Sequence, residues 1–189
     1  QSPGLVAVTD AADNPLSGGI GDTPALLRAL VDGLPDGPCV FASLADPQLV
    51  RRAVAAGPGA RMSVSLGAQR TAVYGAAVAL QVEVEKLTDG RFVNTGPMER
   101  GSPVQCGRSV VLRAQHLRVI VTEHVAPCND PAFFALHGID LDHTRLLCVK
   151  AKNHFRAAFA TLCTAIVDAD APGPASLDLA SLPLHRRAS

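Results

Sequence analysis

Twice within its first sixty residues the chain runs from a short apolar segment, through turn formers, into an amphipathic helix. GLVAVTD (4–10) reads as a buried strand. After a glycine-rich loop, Asp22 or Thr23 can cap a helix that opens on Pro24, carries Leu26, Leu27, Leu30, Val31 and Leu34 on one face and ends at Gly33. PCVFASL (38–44) repeats the strand, and Asp46-Pro47 starts a second helix that Gly57 stops. A βαβα beginning of this kind places the chain among α/β folds.

The rhythm then changes to period two in RMSVSLG (61–67), VALQVEVEKL (78–87) and SVVLRAQHLRVIVTEH (109–124), a largely antiparallel middle. The last of these predicts a hairpin turning near Ala114-Gln115-His116. Asp130-Pro131 caps a short helix closed by Gly138, RLLCVKA (145–151) returns as a buried strand, and Phe155, Phe159 and Leu162 have helical spacing. The Pro- and Ser-rich tail (170–189) is expected to wrap the surface and fray. No internal repeat or linker is visible, so residues 1–189 are read as one mixed α/β domain. The chain enters a strand almost directly from Gln1, which suggests a piece of something longer.

Charge bounds the partners. Seventeen Lys and Arg balance seventeen Asp and Glu, so no net field draws in nucleic acid or an anionic membrane surface. No apolar run approaches the roughly 20 residues that span a bilayer. Five cysteines without a CxxC pair argue against a disulfide framework or a structural zinc site and fit a reducing cytoplasm. Cys39 and Cys148 sit in strand-like runs as core side chains; Cys106 and Cys128 look loop-placed. The six histidines lack HxxxH or HxH spacing, so no metal site is expected within this chain.

Two stretches could carry chemistry. The loop at 10–22 brings Asp10, Asp13, Asn14, Gly18, Gly19, Gly21 and Asp22 between a strand and a helix start. It is neither GxGxxG nor GK[ST], and its acids oppose phosphate. It reads either as an Asx turn with glycines for positive φ, or as a site whose backbone amides face an anion. The second stretch, VKAKNHFRAAF (149–159), delivers Lys150, Lys152, Asn153, His154 and Arg156 at a strand-to-helix junction. A helix start suits a neutral imidazole at His154, either as a donor or acceptor for a substrate or as a simple cap.

Taken in order and spacing, DNPLSGGIGDTPALLRAL, DGRFVNTGPMERG, VLRAQHLRVIVTEH, DPAFFALHGID, VKAKNHFRAAF and VDADAPGPASLDLASLP resemble the C-terminal domain of the microcystinase C (MlrC)-like metallopeptidases over nearly the whole chain. The resemblance implies a two-domain hydrolase of small or linear peptides. Its N-terminal domain, absent here, supplies the ligands of a catalytic zinc and is this chain's partner. On that view Asp13, Asn14, Gly18, Gly19 and Asn153 help form the substrate pocket, while His154 and Arg156 serve the reaction by steadying an oxyanion or a substrate carboxylate. The isolated chain should then be inactive. The alternative is a non-catalytic ligand-binding or docking module.

Overall fold

The computed structural model describes residues 4–33 and 35–176. The elements run β1 (Leu5–Asp10), α1 (Ala25–Asp32), β2 (Cys39–Ala45), α2 (Pro47–Ala56), β3 (Arg61–Leu66), β4 (Val78–Thr88), β5 (Arg91–Val93), β6 (Pro103–Gln105), β7 (Ser109–Ala114), β8 (Leu117–Thr122), α3 (Pro131–Leu136), β9 (Leu146–Val149), α4 (Asn153–Phe159) and β10 (Cys163–Ala169). Eight strands form one sheet in the order β10-β1-β9-β2-β8-β7-β4-β3. From β10 to β8 neighbours are parallel; from β8 to β3 they are antiparallel. The mixed α/β class and the βαβα beginning therefore hold, and the antiparallel middle is joined to them by β8, which pairs with β2 on one side and β7 on the other.

Each face of the sheet is covered by its own helices. On one, α1 sets down Leu26, Leu27 and Leu30 and α2 sets down Leu49, Val50 and Ala53 against Phe41, Leu44, Val119 and Cys148. On the other, Phe133 and Phe134 of α3 and Phe155 and Phe159 of α4 pack on Val40, Ile120, Leu147 and Val149. Burying each such side chain contributes about 1.5–3 kcal/mol, so these apolar faces fix where the helices lie. β2 carries no exposed residue, as a central strand covered on both sides requires.

Asp46 and Asp130 cap α2 and α3 as their sequence positions predict, accepting from Gln48 and Leu49 and from Ala132 respectively. The first helix differs. Neither Asp22 nor Thr23 caps it; Pro24 takes the cap position with no side-chain bond, because Thr23 is engaged elsewhere. Leu34 lies outside the described residues.

Two further differences concern strands. β10 occupies a stretch where no strand is expected, and β5 and β6 form a separate two-stranded ribbon over α3, with Phe92 edge-on to Phe133 at 5.9 Å. The loop-like positions of Cys106 and Cys128 are buried, and burial pushes the Cys128 thiol up to about 12. The expected fraying of the tail beyond residue 176 lies outside the described residues. Its first part does cross the glycine loop, where the amide of Ala175 donates to the carbonyl of Ala12 at 2.8 Å.

Candidate functional site

β1 and β9 are neighbours in the sheet, yet the chain leaves them toward opposite faces. After β1 it crosses by α1 on the first face to reach β2; after β9 it crosses by α4 on the second to reach β10. Diverging connections of this kind are what, in such sheets, opens a crevice outside the carboxyl ends of the two strands, the usual ligand position. Both candidate stretches meet at this crevice, the glycine loop leaving β1 at Asp10 and the cationic junction leaving β9 at Lys150.

The loop is organised around one carboxylate. Asp13 is fully buried, and its Oδ1 accepts the amides of Ile20 and Gly21 at 2.7 and 2.9 Å. Its Oδ2 accepts the amides of Asp22 and Thr23 and the Thr23 hydroxyl, each at 2.9 Å. Successive amides converging in this way form an anion nest, and here the nest is filled by the chain's own side chain. The amides of residues 20–23 are thus unavailable to an outside anion. Asn14, also buried, accepts from the amide of Leu16 and donates to Ser17 Oγ, shaping a short 3₁₀ turn over Pro15–Ser17 that Gly18 ends at φ 86°. Gly19 passes so close to the backbone of Asp13 and Asn14 that a Cβ there would overlap it.

Lys150 fills the floor of the crevice and is 1% exposed. Its Nζ donates to the Thr23 carbonyl at 2.8 Å and to Thr23 Oγ1 at 2.6 Å, and pairs with Asp13 Oδ2 at 2.8 Å. The Phe41 ring lies 5.7 Å below. Asp10 Oδ2 is 3.7 Å away and accepts no hydrogen bond, while Asp10 Oδ1 takes the amides of Ala12 and Asp13. The two acids diverge accordingly. Burial works to raise Asp13, but the Lys150 ammonium and the Thr23 donors outweigh it and hold this carboxyl below its usual range. Burial raises Asp10, against the pull of Lys150 and with the Asp13 charge adding to the rise.

At the junction, Asn153 and His154 are exposed in the first turn of α4, while Phe155 anchors that turn in the core. Arg156 donates to Asp168 Oδ1 at 2.9 Å, and the same oxygen accepts from Thr9 Oγ1 at 2.6 Å. The guanidinium is thereby tethered to the ends of β1 and β10. The structure thus groups Asp13, Asn14, Gly18 and Gly19 in one loop and Asn153, His154 and Arg156 in one helical turn. Lys150 reaches the first group through Asp13, and Asp168 holds Arg156 of the second to Thr9 in β1. Neither stands in the resemblance-derived site, although Lys150 is visible as a cation directly after the apolar run LLCV (146–149).

Among the described residues no group of three His, Cys, Asp or Glu converges to hold a metal ion. The two acids that do approach one another, Asp10 and Asp13, approach the Lys150 ammonium, which occupies the place a cation would take. The donor set of the described residues therefore does not fit a zinc ion.

The chain and its fold have known counterparts. Residues 8–186 match the profile of the MlrC C-terminus family, and the chain belongs to that family. It is 29% identical to Microcystinase C of Sphingomonas sp. over 162 residues, which are 86% of this chain and 31% of that protein. It superposes with a TM-score of 0.87 and 30% identity on a crystal structure from Mesorhizobium sp. BNC1 named as a candidate metallopeptidase, covering 97% of this chain and 36% of that one. The chain spans about a third of the length of these relatives.

Proposed function

We propose that this chain acts as the C-terminal domain of a zinc-dependent peptidase or amidohydrolase for small or linear peptides, forming one wall of the substrate cleft. The observation that carries the reading is the crevice between β1 and β9, where a buried lysine joins the glycine loop to the His154 junction. The relatives' names and the length they have beyond this chain support a metal-bearing partner domain. Zinc held there would polarise the scissile carbonyl and activate water.

This chain's residues serve that chemistry by binding and orientation. His154 and Asn153 stand exposed at the junction and face the partner domain, offering an imidazole and an amide to a substrate carbonyl or its oxyanion. Arg156, kept extended by Asp168, offers its remaining N–H groups to a substrate carboxylate. Asp13, Asn14, Gly18 and Gly19 shape the opposing wall, the first two from beneath its surface. The five unpaired cysteines support a reducing compartment, the cytoplasm.

The test compares zinc content and peptide hydrolysis of the isolated chain with those of a protein that also carries the metal-bearing domain. The reading expects turnover and stoichiometric zinc only in the longer protein. It expects His154→Ala there to lower turnover with zinc retained. Tight zinc and turnover in the isolated chain overturn the division of labour; unchanged turnover in His154→Ala removes that residue from the site and favours a docking role.

A further inference from the structure

We infer that Lys150 is a positioning residue, whose ammonium holds the turn at residues 20–23 against the junction at 151–156 so that the two walls of the crevice keep one fixed separation. The inference rests on the cleft reading for its importance, but its structural content stands by itself.

The turn is anchored to the end of β2 and to the segment after β3, by the Ala45 amide on the Gly21 carbonyl and by the Ala68 and Arg70 amides on Asp22, but none of these bonds reaches β9. Because α1 and α4 leave on opposite faces of the sheet, no helix spans the mouth between the loop and the junction. The loop's internal bonding does not supply the link either, since the amides of residues 20–23 all turn inward to Asp13. Lys150 supplies it. Its backbone is fixed at the end of β9, where its amide donates to the Ala42 carbonyl at 3.0 Å. Its side chain reaches across to Thr23 and Asp13, the far end and the hub of the loop.

The charges around it make the hold specific. The titratable groups facing the ammonium are Asp10 from β1, Asp13 from the loop and the Cys128 thiol, which burial keeps protonated. Two carboxylates therefore share one cation, and the second oxygen of Asp10 has no donor. Without the ammonium, Asp10 and Asp13 face one another in a buried place, and the turn keeps its bonds to Ala45, Ala68 and Arg70 but loses its side-chain hold on the end of β9. Asparagine at position 10 keeps the acceptor for Ala12 and Asp13, removes the charge and places an amide donor where the orphan oxygen lies. It should thus restore what the loss of Lys150 disturbs, which a lysine that merely fills the core would not produce.

The experiment measures amide hydrogen-exchange protection in the full chain at about pH 8, comparing residues 20–23 with Val119–Val121 in β8 as the global reference. In Lys150→Met the turn is expected to lose about tenfold or more in protection while β8 changes by less than about threefold, and the Lys150→Met/Asp10→Asn double variant is expected to regain most of that loss. A turn that keeps its protection in Lys150→Met overturns the inference. So does a parallel loss in the turn and β8, or the absence of recovery in the double variant. If Lys150→Met does not fold, the double variant decides: a folded protein with a protected turn supports the inference, and an unfolded protein or an unprotected turn overturns it. No hydrolysis is read, so either result leaves the peptidase assignment to its own zinc and turnover test.

Discussion

Oδ2 of Asp13 lies 2.8 Å from Nζ of Lys150, and both side chains are sealed from solvent. The same carboxylate accepts four backbone amides and a hydroxyl. Asp13→Ala therefore strands five donors and takes from the ammonium the nearer of its two carboxylates, and it is expected to cost about 3–5 kcal/mol of stability, the range for breaking a buried ion pair by removing one partner. Urea unfolding monitored by circular dichroism measures it, and a loss under about 1 kcal/mol would show that water replaces the carboxylate without difficulty.

Gly18 and Gly19 are adjacent but have different reasons to be glycine. Gly18 has open space around its Cβ position and a positive φ, so alanine there meets only the left-handed backbone penalty of about 1–2 kcal/mol. At Gly19 a methyl group meets the backbone of Asp13 and Asn14 instead. Gly19→Ala is accordingly expected to destabilise more than Gly18→Ala and to shift the amide resonances of residues 13 and 14. Equal melting temperatures for the two variants would contradict this ordering.

His137 gives the fold an acid-sensitive point remote from the crevice. Its Nδ1 donates to the Phe133 carbonyl at 2.6 Å, which leaves Nε2 to accept from Ser109 Oγ at 2.8 Å in a neutral ring. Burial pushes this imidazole down from 6.5 to about 4. Between those values the unfolded chain binds a proton that the folded chain does not, so stability is fully present above pH 6.5 and falls as pH drops toward 4. The part lost is on the order of 3 kcal/mol. Comparing unfolding midpoints of the wild type and His137→Gln at pH values on either side of 6.5 isolates this residue, and the wild-type drop should exceed the variant's.

Arg156 should separate stability from function. Its pair with Asp168 is 38% and 55% exposed, and exposed pairs contribute about 0–1 kcal/mol. Arg156→Ala is expected to leave the melting temperature nearly unchanged while, on the proposed reading, raising KM in a protein that also carries the metal-bearing domain. A KM equal to that of the wild type would confine Arg156 to the surface.

The elements legible in the sequence are those with strong local signals. Asp46-Pro47 and Asp130-Pro131 mark helix starts because a capping carboxylate and a proline act within one turn. The β7–β8 hairpin is readable from alternation alone, although Gln115 turns it at a positive φ that glycine or asparagine usually takes. The β5–β6 ribbon escaped because three residues per strand are too few to show a period. β10 was hidden behind α4, whose helical spacing of Phe155 and Phe159 continues numerically to Leu162 just before the strand begins. In the site, a glycine-rich loop is visible in any sequence, but the turning of its amides onto Asp13 is not. Thr23, which binds the Lys150 ammonium, lies 127 positions away from it, beyond the reach of a local pattern.

The place of β1 in the sheet bears on how the protein is made. Among the described residues its neighbours are β9 and β10, which begin at Leu146 and Cys163. During synthesis β1 therefore waits unpaired until both of these later strands have been made, while β2, β8, β7, β4 and β3 can already assemble. Its closure is a long-range event of the kind that slows folding, and the crevice, whose floor is Asp10 on one side and Lys150 on the other, comes into being at that step. A nascent chain stopped before Leu146 would carry the glycine loop but not the lysine or the junction that complete the site.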